Sequence, residues 1–300
     1  VKVFMTGGTG FVGAYLSREL VKLGHEVTIL SRREQPSAVQ RPGIRLVIGD
    51  PAQEGDWMGA APEHDWIINL AGASIFGRWN AAYKQEIVES RIRSTRNLVI
   101  ALAGGNRRQL FCSTSAVGYY GPRGDEVLTE DSPPDSDFLA RLGVDWEAEA
   151  LKARELGLRV VITRFGIVLG KGGGALGQMA PMFRRFLGGP MGSGQQWFSW
   201  IHQVDLARAF SFIGEHPEID GPVNFTAPNP VRNRELAQAL GRALRRPAWL
   251  RTPGFMIRLA MGELGDTLLS GQRVIPKRLL DAGFKFDFPT IEPALKDLLA

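Results

Sequence analysis

The sequence predicts an α/β protein: a doubly wound parallel sheet with helices on both faces, joined to a smaller C-terminal α+β region. Three observations predict it. Short β-branched runs alternate with longer amphipathic stretches up to about residue 164. The runs are apolar almost throughout, as strands covered on both faces must be. A glycine-rich turn joins the first run to the first amphipathic stretch.

Strand patterns fall at 3–6, 27–30, 46–48, 66–70, 110–113 and 160–163, and helix patterns at 12–23, 81–103 and 136–155. Beyond Arg164 the texture changes. Glycine-rich stretches at 170–177 and 188–194 flank an apolar helical stretch at 179–187; a strand at 197–201, a helix at 204–213 and a strand at 222–226 follow. Asn233 is expected to cap a helix over 234–244, because its side-chain oxygen can accept from a free N–H of the first turn. The expected division is a domain over 1–164, with sheet and helix returning near 197–226, and a smaller region over 165–300 facing it across a cleft.

Composition narrows the classes of function. With 44% hydrophobic and 22% charged residues, the 300-residue chain has the make-up of a soluble globular protein with a sizeable core. No apolar run is long enough to cross a bilayer, so no membrane partner is expected. The single cysteine, Cys112, excludes an internal disulfide and suits a reducing, cytoplasmic compartment. Four dispersed histidines give no zinc-type spacing, and no metal is expected. The net charge of +5 raises the question of nucleic acid. Most basic residues are interleaved with acids, and the densest run (Arg232, Arg234, Arg242, Arg245, Arg246 and Arg251) reads as a solvated helix face. No nucleic-acid partner is expected; the charge is linked instead to a small anionic ligand. Oligomeric state is not encoded in any of these patterns.

The strongest motif is Thr6-Gly7-Gly8-Thr9-Gly10-Phe11-Val12-Gly13, which follows a strand and opens a helix. Glycines there permit a tight turn, approach of backbone to a pyrophosphate and close helix–strand packing, and the helix N-terminus offers N–H groups to the anion. This is a Rossmann-type dinucleotide site, with Gly7, Thr9, Gly10, Phe11, Val12 and Gly13 as its first contacts. An NAD-preferring site ends its second strand in an acid that takes the ribose hydroxyls. This chain has Ser31-Arg32-Arg33, a hydroxyl and two guanidinium groups suited to a 2′-phosphate. NADP(H) is the cofactor expected, with Arg32 its main 2′-phosphate ligand.

A wider set of segments carries a resemblance that runs nearly end to end: Gly7 to Gly13, Asn69-Leu70-Ala71-Gly72, Arg78-Trp79-Asn80, Ser90-Arg91, Ser115 to Gly121, Trp146-Glu147, Arg164 to Gly170, Gly192-Ser193-Gly194, Trp200-Ile201-His202 with Asp205, and Gly271 to Pro276. On these residues the chain resembles an extended short-chain dehydrogenase/reductase of the NAD-dependent epimerase/dehydratase type, and more closely an atypical branch of epimerase-family proteins. The resemblance implies that Leu70, Ala71 and Gly72 pass their backbone beside the cofactor, and that Glu86 and Arg91 meet it from the following helix. It implies a joining role for the Trp200–Asp205 segment, with His202 structural rather than catalytic.

The resemblance also exposes a departure. Standard members use a tyrosine and a lysine four residues later, the lysine lowering the tyrosine pKa for proton exchange. Positions four beyond Tyr15, Tyr83, Tyr119 and Tyr120 hold Glu19, Ile87, Arg123 and Gly124. Aligning the expected helix on its acidic–aromatic end puts Arg141 at the tyrosine place and Asp145 at the lysine place. Ser115 matches the family serine, and Tyr119 or Tyr120 is close enough in sequence to stand in as general acid; packing under the nicotinamide edge is the other role open to both. The glycine-rich stretches fit either a lid over a substrate or turns around a buried helix. Two readings of function follow: an NADP(H)-dependent epimerase/dehydratase-like oxidoreductase of a small-molecule substrate, and a catalytically silent NADP(H)-binding sensor or scaffold.

Overall fold

A computed structural model describes residues 1–34, 42–105 and 109–300. Seven parallel strands form the central sheet: β1 (Lys2–Thr6), β2 (Glu26–Ser31), β3 (Ile44–Ile48), β4 (Trp66–Asn69), β5 (Leu110–Ala116), β6 (Arg159–Phe165) and β7 (Gly221–Phe225). Their spatial order is β7-β6-β5-β4-β1-β2-β3. The order reverses beside β1, so the C-terminal ends of β1 and β4 flank the crevice where such sheets bind ligands. The runs expected from sequence are the strands observed, with ends shifted by at most three residues and the main extensions at β3, β5 and β6.

Helices cover both faces because each presents one apolar stripe. Leu16 and Leu20 of α1 (Phe11–Lys22) and Leu206, Phe210 and Ile213 of α5 (Gln203–Glu215) close one face. Leu98 and Leu102 of α2 (Ala81–Leu102) and Ala150 of α3 (Phe138–Leu151) close the other. Side chains fix where α2 and α3 begin: Asn80 accepts from Tyr83 N at 2.8 Å and Asp137 accepts from Ala140 N at 2.7 Å. Each such cap contributes about 1 kcal/mol.

A second apolar centre lies in the C-terminal part, where α4 (Gly174–Arg184), α6 (Asn233–Leu244) and α10 (Ile291–Leu299) meet through Leu176, Phe183, Leu236, Leu240 and Leu295. Here three sequence expectations change. The helix placed at 179–187 begins inside the glycine-rich stretch and ends at Arg184, with Pro181 in its interior. The single strand at 197–201 is two short ones, Trp197–Phe198 and Trp200–His202, pairing with different partners, because Ser199 turns its hydroxyl to Gln272 O at 2.7 Å. Asn233 is the first residue of α6, not its cap. Its side-chain oxygen accepts from Met191 N at 2.8 Å, while Glu235 accepts from Arg232 N at 2.7 Å.

The remaining helices are α7 (Gly254–Met261), α8 (Glu263–Leu269) and α9 (Lys277–Asp281). Among them α8 returns to the N-terminal half: its Leu264 packs with Trp79, Ile87 of α2 and Leu142 of α3.

Candidate functional site

The glycine turn is built by close approach. Gly7 has φ of +67°, and a Cβ there would lie 2.6 Å from the carbonyl carbon and oxygen of Leu70. A Cβ at Gly13 would overlap the Gly7 carbonyl oxygen and lie 2.6 Å from Gly8 Cα. The turn after β1 and the chain after β4 are thereby pressed together. Gly10 is the N-cap of α1 and has no side chain to cap it, so the first-turn N–H groups of a helix end are left for a ligand. Thr9 is exposed at the tip of the turn. The backbone of Phe11, Val12 and Gly13 opens the helix, and the Phe11 ring lies against Gly170, Gly173 and Gly174 of the C-terminal part. That first glycine-rich stretch therefore packs on the cofactor turn. The second, at 188–194, packs on Phe183, Leu250 and Leu269.

A buried polar network braces the turn from below. Thr6 Oγ1 donates to Asn69 Oδ1 at 2.7 Å and accepts from Ala71 N at 3.2 Å. Asn69 Nδ2 donates to Thr95 Oγ1 at 2.8 Å, and Trp146 Nε1 donates to the same oxygen at 2.9 Å. Arg91 donates to Ala73 O and Ile87 O, both at 3.0 Å, and lies 5.2 Å from the Trp146 ring centroid. Burial pulls its guanidinium pKa down to about 10. Arg91 thus holds the loop of Leu70, Ala71 and Gly72, while Glu86 stands exposed on α2.

At the end of β2, Ser31 is buried and its hydroxyl donates to Arg33 O at 2.7 Å. That hydroxyl shapes the turn rather than pointing to solvent. Arg32 and Arg33 are both exposed.

The candidate catalytic residues lie in a different environment. Ser115 is 1% exposed and its Oγ donates to Glu147 Oε1 at 2.7 Å. Glu147 is also gripped by Arg164, with Nε to Oε1 and Nη2 to Oε2 both at 2.8 Å, a bidentate pair in the interior. Burial opposes the Arg164 charge, but Glu147 outweighs it and holds the guanidinium pKa above its ordinary value. Arg164 Nη1 donates to Tyr120 OH at 2.9 Å, and that hydroxyl donates to Asn224 Oδ1 at 2.7 Å. Tyr120 is 0% exposed, and burial pushes its phenol up to about 12. The expectation that Tyr120 shares the cleft is corrected: it is enclosed, with its hydroxyl engaged on both sides. Tyr119 is half-buried, its ring centroid 3.6 Å from Arg164 Cζ.

The alignment of α3 is corrected as well. Arg141 and Asp145 lie on its exposed side, with Arg141 Nη1 donating to Ser136 O. The residues facing the loop after β5 are Leu139, in contact range of Gly118, and Gly143, against Tyr119. They are four apart, and neither is a tyrosine or a lysine. Glu147 was missed at the sequence level. It shares the buried face with Ala140, Gly143 and Ala150, and an acid in phase with small apolar residues is the signal that could have found it.

His202 lies at 0% exposure as the N-cap of α5, its Nδ1 accepting from Val204 N at 3.1 Å and its ring stacked on Phe288. Burial lowers its pKa to about 4, against a partial upward pull from Asp297. Asp205 accepts from the backbone N of Asp287 and Phe288, at 2.8 and 2.9 Å, tying the C-terminal segment to α5. Among the described residues no group of three or more metal-ligating side chains gathers, and no helix is long and apolar enough to cross a membrane.

Comparison with known proteins identifies the family. Residues 3–225 match the NAD dependent epimerase/dehydratase family, and residues 252–298 match a domain of unknown function, DUF1731. The chain is 40% identical to the chloroplastic epimerase family protein SDR39U1 homolog of Arabidopsis thaliana over 305 residues, covering 99% of this chain and 86% of that protein. It is 38% identical to the epimerase family protein YfhF of Bacillus subtilis, covering 100% and 98% of the two chains. The crystal structure of human epimerase family protein SDR39U1 (isoform 2), solved with NADPH, superposes with a TM-score of 0.88 at 36% identity over 100% of this chain and 99% of that one. The chain belongs to the NAD-dependent epimerase/dehydratase family of extended short-chain dehydrogenases/reductases.

Proposed function

We propose that this protein binds NADP(H) and acts as an epimerase/dehydratase-like oxidoreductase on a small polar molecule. The observation that carries the cofactor reading is the uncapped start of α1 behind the Gly7–Gly13 turn, with two exposed arginines at the neighbouring strand end. The residues fit the group: Gly10 leaves the start of α1 without a side-chain cap, as a pyrophosphate site requires, and Arg32 and Arg33 are exposed with the chemistry to meet a 2′-phosphate. Leu70, Ala71 and Gly72 would border the adenosine side, braced by Arg91. The NADPH-bound human relative supports the same choice.

Bound NADP(H) supplies or accepts a hydride at a substrate carbon. What this chain adds is the matching proton transfer at the adjoining oxygen, delivered when the hydride goes to the substrate and taken up when it leaves, and Tyr119 is the residue suited to it. Its ring is set by the Arg164 guanidinium, and its neighbours Ser115 and Tyr120 have their hydroxyls engaged inside the protein. One observation favours the second reading, a silent NADP(H) sensor. Leu139 and Gly143 occupy the face of α3 that meets the Tyr119 loop, and neither can lower a phenol pKa as a lysine does.

Fluorescence titration with NADPH and NADH tests the cofactor. Arg32→Ala is expected to cut the preference for NADPH by about 10- to 100-fold, the value of a charge-assisted hydrogen bond to phosphate. An unchanged preference removes Arg32 from the site. Following nicotinamide absorbance across a panel of carbonyl and alcohol substrates separates the two readings. Turnover abolished by Tyr119→Phe and kept by Tyr120→Phe supports the enzyme; tight binding with no turnover across the panel supports the sensor.

A further inference from the structure

One surface of the C-terminal part is both apolar and basic, and neither the cofactor nor the core accounts for it. Residues 186–192 run beside residues 249–254. Leu250 N donates to Gly188 O at 3.3 Å, Thr252 N to Pro190 O at 3.0 Å, and Gly192 N to Thr252 O at 2.9 Å. At the outer edge of this pairing, Phe186, Leu187, Trp249 and Leu250 all face solvent. The chain then enters α7, where Ile257 is the buried residue, while Phe255, Met256 and Leu259 share the outward face. Trp249, Phe255 and Leu259 are 73%, 68% and 83% exposed, far beyond scattered surface leucines.

The helical pair α7–α8 explains how such a face persists. It is α8 that turns Leu264 into the packing with α2 and α3, and Gly265 lets the backbone of Ile257 come close. With α8 beneath it, α7 leaves Phe255, Met256 and Leu259 exposed, and among the described residues no protein layer covers them.

Charge selects the occupant. The stretches 182–192 and 245–259 contain six arginines (Arg184, Arg185, Arg245, Arg246, Arg251 and Arg258) and no aspartate, glutamate or lysine. Arg258 is paired with Asp266 at 2.6 Å, and Arg246 lies 4.7 Å from the Phe186 ring centroid. Two copies of so basic a face would repel, so a second copy of this chain does not fit it. The exposed leucine, methionine and aromatic side chains exceed what contact with a phosphate backbone uses. Exposed apolar side chains on segments this rich in arginine match the boundary of a bilayer with anionic headgroups.

We propose that this face, α7 with the 186–187 and 249–250 edges, docks the protein on an anionic membrane surface. The aromatic and leucine side chains enter the headgroup–acyl boundary and the arginines meet lipid phosphates. The sequence pattern pointed to no membrane partner because it contains no spanning stretch; lying on a bilayer needs a surface of this kind instead. The proposal stands apart from the cofactor reading and does not depend on it.

Sedimentation of the full chain with vesicles tests it. Binding is expected to vesicles of phosphatidylcholine mixed with phosphatidylglycerol, absent with phosphatidylcholine alone, and weakened by added salt. Phe255→Ser with Leu259→Ser is expected to weaken partitioning on the order of 100-fold. Arg184→Gln with Arg185→Gln is expected to weaken it on the order of 30-fold. Unchanged thermal unfolding shows that both double variants are folded. No binding to the anionic vesicles, or equal binding to the neutral ones, overturns the proposal. So does a concentration-dependent dimer, or salt-steep binding to duplex DNA, that the Phe255→Ser, Leu259→Ser variant abolishes while vesicle binding is absent.

Discussion

The turn at Gly7–Gly13 follows β1 and the cluster around Glu147 gathers on β5, β6 and β7 of the same sheet, yet they treat polar groups in opposite ways. At the turn, helix N–H groups are uncapped and Arg32 and Arg33 stand in solvent. In the cluster, Ser115, Glu147, Arg164, Tyr120 and Asn224 engage one another. A site for an exchangeable ligand keeps its donors free until the ligand arrives, whereas buried polar groups must be matched permanently. Hydroxyls that look reactive in sequence are here part of the second arrangement.

The largest test of this contrast is to break the ion pair. Glu147→Ala leaves Arg164 buried without its carboxylate and is expected to cost about 3–5 kcal/mol in urea unfolding. A loss below about 1 kcal/mol means that Arg164 finds water and the cluster is open. The next test uses an enclosed polar side chain outside that cluster. His202 is neutral when folded, with a pKa near 4 against 6.5 when free. The unfolded chain binds the extra proton between these values, so its contribution to stability is full above about pH 6.5 and fades as pH falls toward 4. Glu130 and Asp205, whose carboxyl pKa values burial raises, act in the opposite direction. Comparing wild type with His202→Asn, which keeps a capping oxygen, isolates the histidine. The variant is expected to lose on the order of 2–3 kcal/mol less stability over that interval. Parallel pH curves mean that His202 is solvated. The smallest effect belongs to Tyr120→Phe, expected to cost about 1–2 kcal/mol of stability while NADPH affinity stays unchanged. A large drop in affinity instead joins the two regions into one site.

How much of this was readable in sequence follows the same division. The strands, the glycine turn and the Ser31-Arg32-Arg33 end of β2 are local patterns, fixed by the spacing of a few consecutive residues. The cluster is assembled from afar: Tyr120 meets Asn224 across 104 positions and Ser115 meets Glu147 across 32. No periodicity encodes such pairings. The face of α3 was readable in principle, since Ala140, Gly143, Glu147 and Ala150 keep helical phase. Aligning on a motif instead put Arg141 and Asp145 in the wrong place. Likewise Asn233 carries the right chemistry for a cap but serves Met191 N, a partner that only the tertiary fold brings near.

The return of the chain as β7 has a consequence for anyone cutting this protein into pieces. β7 pairs along β6 from Gly221 opposite Val161 to Phe225 opposite Phe165, and α5 immediately before it covers the sheet face beside α1. A fragment ending at residue 164 would therefore carry the whole glycine turn but present β6 as a bare apolar edge and leave Leu16 and Leu20 uncovered. Such a piece is expected to associate edge to edge rather than fold alone. The shortest fragment worth expressing for cofactor studies extends past Phe225, and it carries the C-terminal excursion with it.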